Sequence, residues 1–307
     1  MTITAKVIEY SVGPSDQHKP ILTIEARYPR FIHAELMTHR VFSRNAASSR
    51  AIPTSKLIDD VLLDPAMPTY WGKNQPGMQA KEECNEKIDL YSFGTNAEYP
   101  EAYDTYEIWS RDLNSHTRED AWLYGRDQMV SLAKAYNTAG YHKQIVNRLL
   151  EPWAHITVCI TSTSWANFFA LRDHPDAQPE IRVLAQEIKK AKDAATPKRL
   201  QYGEWHLPYV TEEERSTYSL EDQKALSVAR CASTSYKTVD GKIMTVEKAL
   251  DLYQKLMGNN PVHASPTEHQ ATPDGPSALG GQWPNLHGNL KGYIQYRKTI
   301  SGEYVHD

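Results

Sequence analysis

Cysteine is scarce: three thiols, at positions 84, 159 and 231, serve 307 residues. Their number is odd and their spacing wide, which excludes a disulfide framework and any CxxC metal pair. A reducing, cytoplasmic setting is the simplest expectation. An excess of positive charge is missing too. Lysine and arginine total 34 against 38 acidic residues, a net charge of −4, so coating of nucleic acid is disfavoured. A small anionic ligand gripped by a few arginines is compatible with that balance. No basic segment followed by an apolar core opens the chain, so no signal peptide is expected. Long apolar runs are also absent. The longest stretch without Asp, Glu, Lys or Arg, Pro152 to Leu171, is about the length of a membrane span. It carries His155, Thr157, Thr161, Ser162, Thr163, Ser164 and Asn167, and reads instead as a buried strand followed by a buried helix, with no membrane association. Repeats and low-complexity tracts are lacking.

What is present is 40% hydrophobic and 23% charged, enough for a sizeable core. Residues 2–10 alternate apolar and polar side chains, and ILTIEARYP follows a turn-rich GPSDQHKP, so an opening hairpin is predicted. RFIHAELMTHRVF has rough helical spacing. SRNAASSRAIPTS is small and polar and reads as a loop. Residues 65–100, rich in Pro, Gly, Asn and Asp, read as an insertion or long surface excursion. From about Tyr103 to Leu150 the pattern is mostly helical, with a break at Asn137–Gly140. HITVCIT is strand-like, although a buried helix gives the same short run. SWANFFALR and PEIRVLAQEIKKAKDAA read as helices, the second clearly amphipathic. Residues 196–222 connect to two more helices near 221–231 and 245–257. A turn-rich segment, 270–290, leads to an amphipathic tail, GYIQYRKTI.

The densest chemistry lies in His39–Arg50, with three arginines, one histidine, three serines and an asparagine. Guanidinium forks, hydroxyls and loop N–H groups suit a phosphate or pyrophosphate; the same composition also suits a solvated loop. Arg148 precedes Leu149-Leu150-Glu151-Pro152. Arg172 ends an otherwise uncharged run, and a charge at a core edge needs a partner; Asp173, Asp176 and Glu180 are the near ones. His263-Ala264-Ser265-Pro266-Thr267-Glu268-His269 has two histidines and a glutamate, but not at metal-protease spacing, and Pro266 interrupts any helix between them. Ser265-Pro266-Thr267-Glu268 reads as a helix start with Ser265 as N-cap. No metal is expected there. Cys159 and Cys231 read as buried small hydrophobes, and His142, His155 and His206 as structural.

Taken together, these segments resemble the flavin-dependent thymidylate synthases. The family signature, Arg-His-Arg, seven residues, then Ser, stands here as Thr38-His39-Arg40, seven residues, then Ser48, with Ser43, Asn45 and Arg50 also in family positions. TIEARYPRFIHAELM resembles the lead-in to that motif, with Glu35 where the family usually has glutamine. Arg148 ahead of LLEP resembles a nucleotide-contacting element. SWANFFALRDHPDAQPEI resembles the helix that supplies Asn167 and Arg172. ARCAS (229–233), the helix near 245–257 and His263-x-Ser-Pro-x-Glu-His269 resemble segments that commonly open family members. Here they come last, so the chain resembles a circularly permuted, phage-type member, which would place it in host cytoplasm. Thr38, Ala46, Ala51, Thr163 and Asp176 depart from the family pattern.

The resemblance implies an α/β (α+β) fold with a mostly antiparallel sheet flanked by long helices. It implies one catalytic domain over 1–307, with an insertion at about 60–102 and a permuted segment at about 227–307. It further implies reductive methylation of dUMP at C5, with FAD as cofactor, methylenetetrahydrofolate as one-carbon donor, NADPH as reductant, and a homotetramer with shared sites. Arg172 and Ser48 would be catalytic. Glu35, Ser48, Ser49, Arg50, Arg148 and Arg172 would hold the substrate. His39, Arg40, Asn45, Asn167, Ser265 and Glu268 would line the flavin site, and His263 would approach the flavin ring or folate. Two other readings compete: C5 modification, methyl or hydroxymethyl, of another pyrimidine nucleotide, and an inactive nucleotide-binding homologue.

Overall fold

The computed structural model describes residues 2–16, 18–94, 107–111, 115–235, 244–275 and 281–304. β1 (Thr4–Val12) and β2 (Ile21–Pro29) form the expected antiparallel hairpin. A short 3-10 turn, Arg30–Ile32, leads into α1 (His33–Met37). The helix expected to reach Val41 ends there, because the Arg44 Nη1 donates to the carbonyls of Leu36, Met37 and His39 at 3.3, 2.9 and 3.3 Å. This guanidinium closes the α1 C-terminus. The start of the polar loop is instead an edge strand, β3 (Ser43–Ala46), followed by α2 (Thr54–Leu63).

β4 (Tyr91–Gly94), in the excursion, pairs with β5 (Glu107–Arg111), which lies where the pattern suggests helix. α3 (Arg118–Thr138) and α4 (Lys143–Val146) flank the expected break, and a 3-10 stretch, Asn147–Trp153, precedes β6 (His155–Ser162). α5 (Ala166–Arg172) and α6 (Pro179–Asp193) follow. β7 (Lys198–Arg199), α7 (Glu212–Thr217), α8 (Leu220–Ala232) and α9 (Val246–Gly258) come next. A second small hairpin, β8 (Ala271–Pro273) with β9 (Tyr293–Gln295), lies near the end.

The main sheet has the order β3-β6-β2-β1-β7, antiparallel except for the β1–β7 edge. Its two faces differ because side chains alternate along each strand. Leu22, Ile24, Ala26 and Tyr28 share one face with Ile156, Val158 and Ile160. They bury against Phe168 of α5 and Ile181, Leu184, Ala185 and Ile188 of α6. The other face is polar. Thr23 and Thr161 share a 2.6 Å hydrogen bond, and His206 spans Ser11 and Thr23 at 3.0 and 2.8 Å. Residues 206–233, 267–275 and 281–296 cover this face. A β-bulge between Val7 and Glu9 turns β1 so that Glu9 and Ser11 join it. Among the described residues, no helix is long and apolar enough to cross a membrane; the 152–171 run is β6 and α5, as its polar residues implied.

His206 is fully buried, and burial, then Arg215 and His269, push its pKa well below the ordinary 6.5. The folded protein keeps it neutral while the unfolded chain protonates, so acid favours unfolding by up to about 1.4 kcal/mol per pH unit below ~6.5. The unfolding temperature should therefore fall from pH 7.5 to pH 5.5. In His206→Gln, which keeps a hydrogen-bonding side chain without the titration, that slope should be shallower; an unchanged slope would refute the assignment.

Candidate active site

Arg172, the last residue of α5, does not pair with Asp173, Asp176 or Glu180. Its Nε–H donates to His39 Nε2 at 2.9 Å, and its Nη2 donates to Thr38 Oγ1 at 3.1 Å and to the Glu35 carbonyl at 3.4 Å. The Thr38 hydroxyl donates to the same carbonyl at 2.7 Å. The turn after α1 is thus shaped as a socket for one guanidinium. His39 is held between Phe42, stacked at 5.7 Å, and Phe168, edge-on at 5.0 Å. Burial, then Arg172 and Arg44, lower its pKa. The ring stays neutral and can accept from Arg172 instead of repelling it. Glu35 Oε2 is buried without a hydrogen-bond partner among the described residues.

A cavity of about 350 Å³ opens beside this socket, lined by Arg40, Phe42, Arg44, Glu268, Gly288, Asn289, Gln295, Arg297 and Lys298. Four cationic side chains and one carboxylate line it; Arg297 pairs with Glu268 and with Glu303 behind it, and Lys298 pairs with Glu303. The donor set suits phosphate oxygens. Glu268 ends a 3-10 turn, Ser265–Glu268, that packs on β3. Ser265 lies inside that turn and does not cap it; Ala264 takes the N-cap position without a side-chain bond.

β3 leads from the socket to a third cluster. Ser48, Ser49 and Arg50 follow it in a loop pinned from below. Asn147 Nδ2 donates to the carbonyls of Ser49 and Ile52 at 2.7 and 2.9 Å, and Lys143 Nζ to that of Ala51 at 3.0 Å. The Ser49 hydroxyl is spent on Glu151 at 3.1 Å. Ser48 Oγ accepts from the Arg50 N–H at 3.3 Å. The Arg50 and Arg148 side chains are exposed.

The residues read from sequence therefore fall into three groups. Arg172, His39 and Glu35 meet; Arg40 and Glu268 line the cavity; Ser48, Ser49 and Arg50 form a rim. Asn45 turns inward, where its Nδ2 donates to the Cys231 carbonyl at 3.4 Å, and so holds β3 to α8. Asn167, His263 and Ser265 are exposed and stand outside these bonds. Sequence reasoning missed Arg297, Lys298, Gln295 and Asn289. Their only signal was the cationic Arg297-Lys298 pair in the tail.

The family profile described as "Thymidylate synthase complementing protein" matches residues 17–198, more than half of the chain. The chain belongs to this family. Its shared core carries the socket, β3, the rim loop and Arg148. The thymidylate synthase complementing profile ends before α7, so Glu268, Arg297 and Lys298 come from a part of the chain outside the match. Two solved structures of a UMP/dUMP methylase, PolB from Streptomyces cacaoi, bound with 5-Br dUMP and with 5-Br UMP, are distantly similar. Their TM-scores are 0.40 and 0.37 at 15% and 16% identity, over 62% of this chain and 90% and 89% of theirs. No curated protein matches.

Proposed function

We propose that the protein catalyses reductive methylation of dUMP at C5 to dTMP, using FAD, methylenetetrahydrofolate and NADPH. The observation that carries this reading is the Arg172–His39 hydrogen bond, which joins two family segments beside a cation-lined cavity. Arg40, Arg44, Arg297 and Lys298 fit the phosphates of a flavin nucleotide, and Phe42 offers an apolar wall. Bound and reduced, that cofactor would supply the hydride equivalent for the chemistry.

Uracil C5 is a poor nucleophile unless charge developing on the ring oxygens is stabilised. Cys159 and Cys231 are fully buried and cannot attack the ring. With Nε and Nη2 of Arg172 committed to the socket, Nη1 is the donor we assign to the developing enolate oxygen. Neutral His39 fixes the guanidinium plane without competing for its charge. Arg50, Arg148 and Ser48 would grip the nucleotide phosphate. Exposed Asn167, His263 and Ser265 suit a site completed by other subunits of a homotetramer. The segment after about residue 227 would be the permuted part of a single catalytic domain, with about 60–102 as an insertion.

The test is the visible spectrum of purified protein before and after adding FAD, with dUMP titrated in, followed by product masses from dUMP, UMP and dCMP. Flavin bands perturbed by dUMP and a methylated dUMP product are expected; protein that takes up no FAD would refute the reading. A second reading, C5 methylation or hydroxymethylation of another pyrimidine nucleotide, is favoured by Thr38, which leaves one guanidinium fewer at the signature. The product masses separate the two. Arg148→Ala should raise KM for the nucleotide roughly tenfold and leave kcat within about twofold, as expected for loss of a ground-state phosphate contact. A fall confined to kcat would contradict that role.

A further inference from the structure

Three soft metal-ligand side chains meet in the polar layer behind the sheet. Cys159 comes from β6, Cys231 from the end of α8, and His269 from the residue after the Ser265–Glu268 turn. All three are 0% exposed, and their ligand atoms lie within 4.8 Å of one another. We propose that Cys159, Cys231 and His269 form a structural site for a thiophilic divalent cation of the zinc class, which staples the C-terminal segment to the sheet.

The geometry needs little adjustment. Zinc bonds of about 2.3 Å to sulfur and 2.0–2.1 Å to nitrogen at tetrahedral angles place sulfur and nitrogen roughly 3.6 Å apart. Cys159 Sγ and His269 Nδ1 are 3.7 Å apart. Cys231 needs to close by no more than about 1 Å to reach the matching sulfur–sulfur spacing. The surroundings act as an outer shell. Gln270 Nε2 donates to Cys231 Sγ at 3.6 Å. Thr161 Oγ1 lies 2.8 Å from His269 Nδ1, on the side of the ring that would face the metal. The Thr161 hydroxyl is the near oxygen for a fourth position.

One divalent cation with two thiolates and a neutral imidazole is uncharged overall. Its binding releases the protons of the two thiols and changes no oxidation state.

The inference is independent of the reaction proposed above. Reduced, untagged full-length protein incubated with zinc and desalted should hold about one zinc per chain by elemental analysis. Cys84→Ser should match it, whereas Cys159→Ala and Cys231→Ala should hold less than about a tenth as much. Cobalt added to the metal-free protein should produce a thiolate-to-cobalt charge-transfer band that both variants lose. Stripping zinc should lower the unfolding temperature and expose residues 200–304 to protease. Folded protein that takes up no zinc and shows no cobalt band would overturn the proposal. So would zinc retained in the two variants, or a Cys159–Cys231 disulfide in place of metal.

Discussion

Arg172→Ala should lower kcat/KM by roughly 10³-fold while the unfolding temperature moves little, because one preorganised donor to a developing oxyanion is worth about that much. Arg172 lies at the end of a helix, partly exposed, so truncation opens no core cavity. Arg172→Lys should fail to rescue. The socket uses two nitrogens in a fixed plane, one toward His39 and one toward Thr38 and Glu35. An ammonium reproduces neither the plane nor the spare third nitrogen. His39→Gln, which keeps an acceptor, should retain more activity than His39→Ala. Steady-state kinetics on the flavin-loaded protein decide the matter, and an Arg172→Ala enzyme within tenfold of wild type would remove Arg172 from the chemistry.

The second large effect concerns stability. Glu214→Gln should destabilise the fold by about 3–5 kcal/mol, the cost of leaving one member of a buried ion pair alone. Arg230 on α8 is 5% exposed. It binds both Glu214 oxygens at 2.7 and 2.6 Å, the Tyr209 carbonyl at 2.6 Å and the Met244 carbonyl at 3.2 Å. The pair therefore ties α7, α8 and the approach to α9 together. Glutamine preserves the capping box that Glu214 completes with Thr211, so the loss reports charge and not helix capping. The Arg230 hydrogen bond, which outweighs burial, pulls the Glu214 carboxyl down to about 2. Its contribution is full above the ordinary 4.5 and fades as pH falls toward 2. Urea unfolding of wild type and variant should differ most at neutral pH, narrow below pH 4.5 and converge only near pH 2. A difference below about 1 kcal/mol at pH 7 would refute the argument.

Some of this architecture was legible in the residues. β2 was bounded correctly because an apolar run ends at Pro29, and the start of α6 because Pro179 opens an amphipathic stripe. The spacing around His39 and the helix ending in Arg172 named the two partners that meet across 133 residues. Other features were not legible, for physical reasons. β3 is four residues, Ser43-Arg44-Asn45-Ala46, with no large apolar side chain, and only pairing with β6 makes them a strand. α1 stops early because a guanidinium from β3 reaches back to its carbonyls. Asn45 has the same residue type whether it faces a ligand or Cys231; its direction comes from α8 packing behind it. The Cys159–Cys231–His269 cluster is assembled from three distant segments, so no local spacing announces it.

The two-faced sheet also bears on how the chain matures. The apolar face can close with α5 and α6, all within the first 193 residues. The polar face waits for its cover. Gly13 donates to the Tyr293 hydroxyl at 2.9 Å, which donates to the Lys19 carbonyl at 2.8 Å, and His18 bonds the Asp274 carbonyl at 3.1 Å. Such pairings span most of the chain, and long closures are slow. On the ribosome, a nascent chain near 200 residues holds a half-finished sheet whose hydroxyls are still solvated by water. Water is a tolerable partner for that face, as it would not be for Ile24 or Val158. The unprotected side of the intermediate is thus the side least prone to stick to its neighbours, and the last third of the chain completes the fold by displacing solvent.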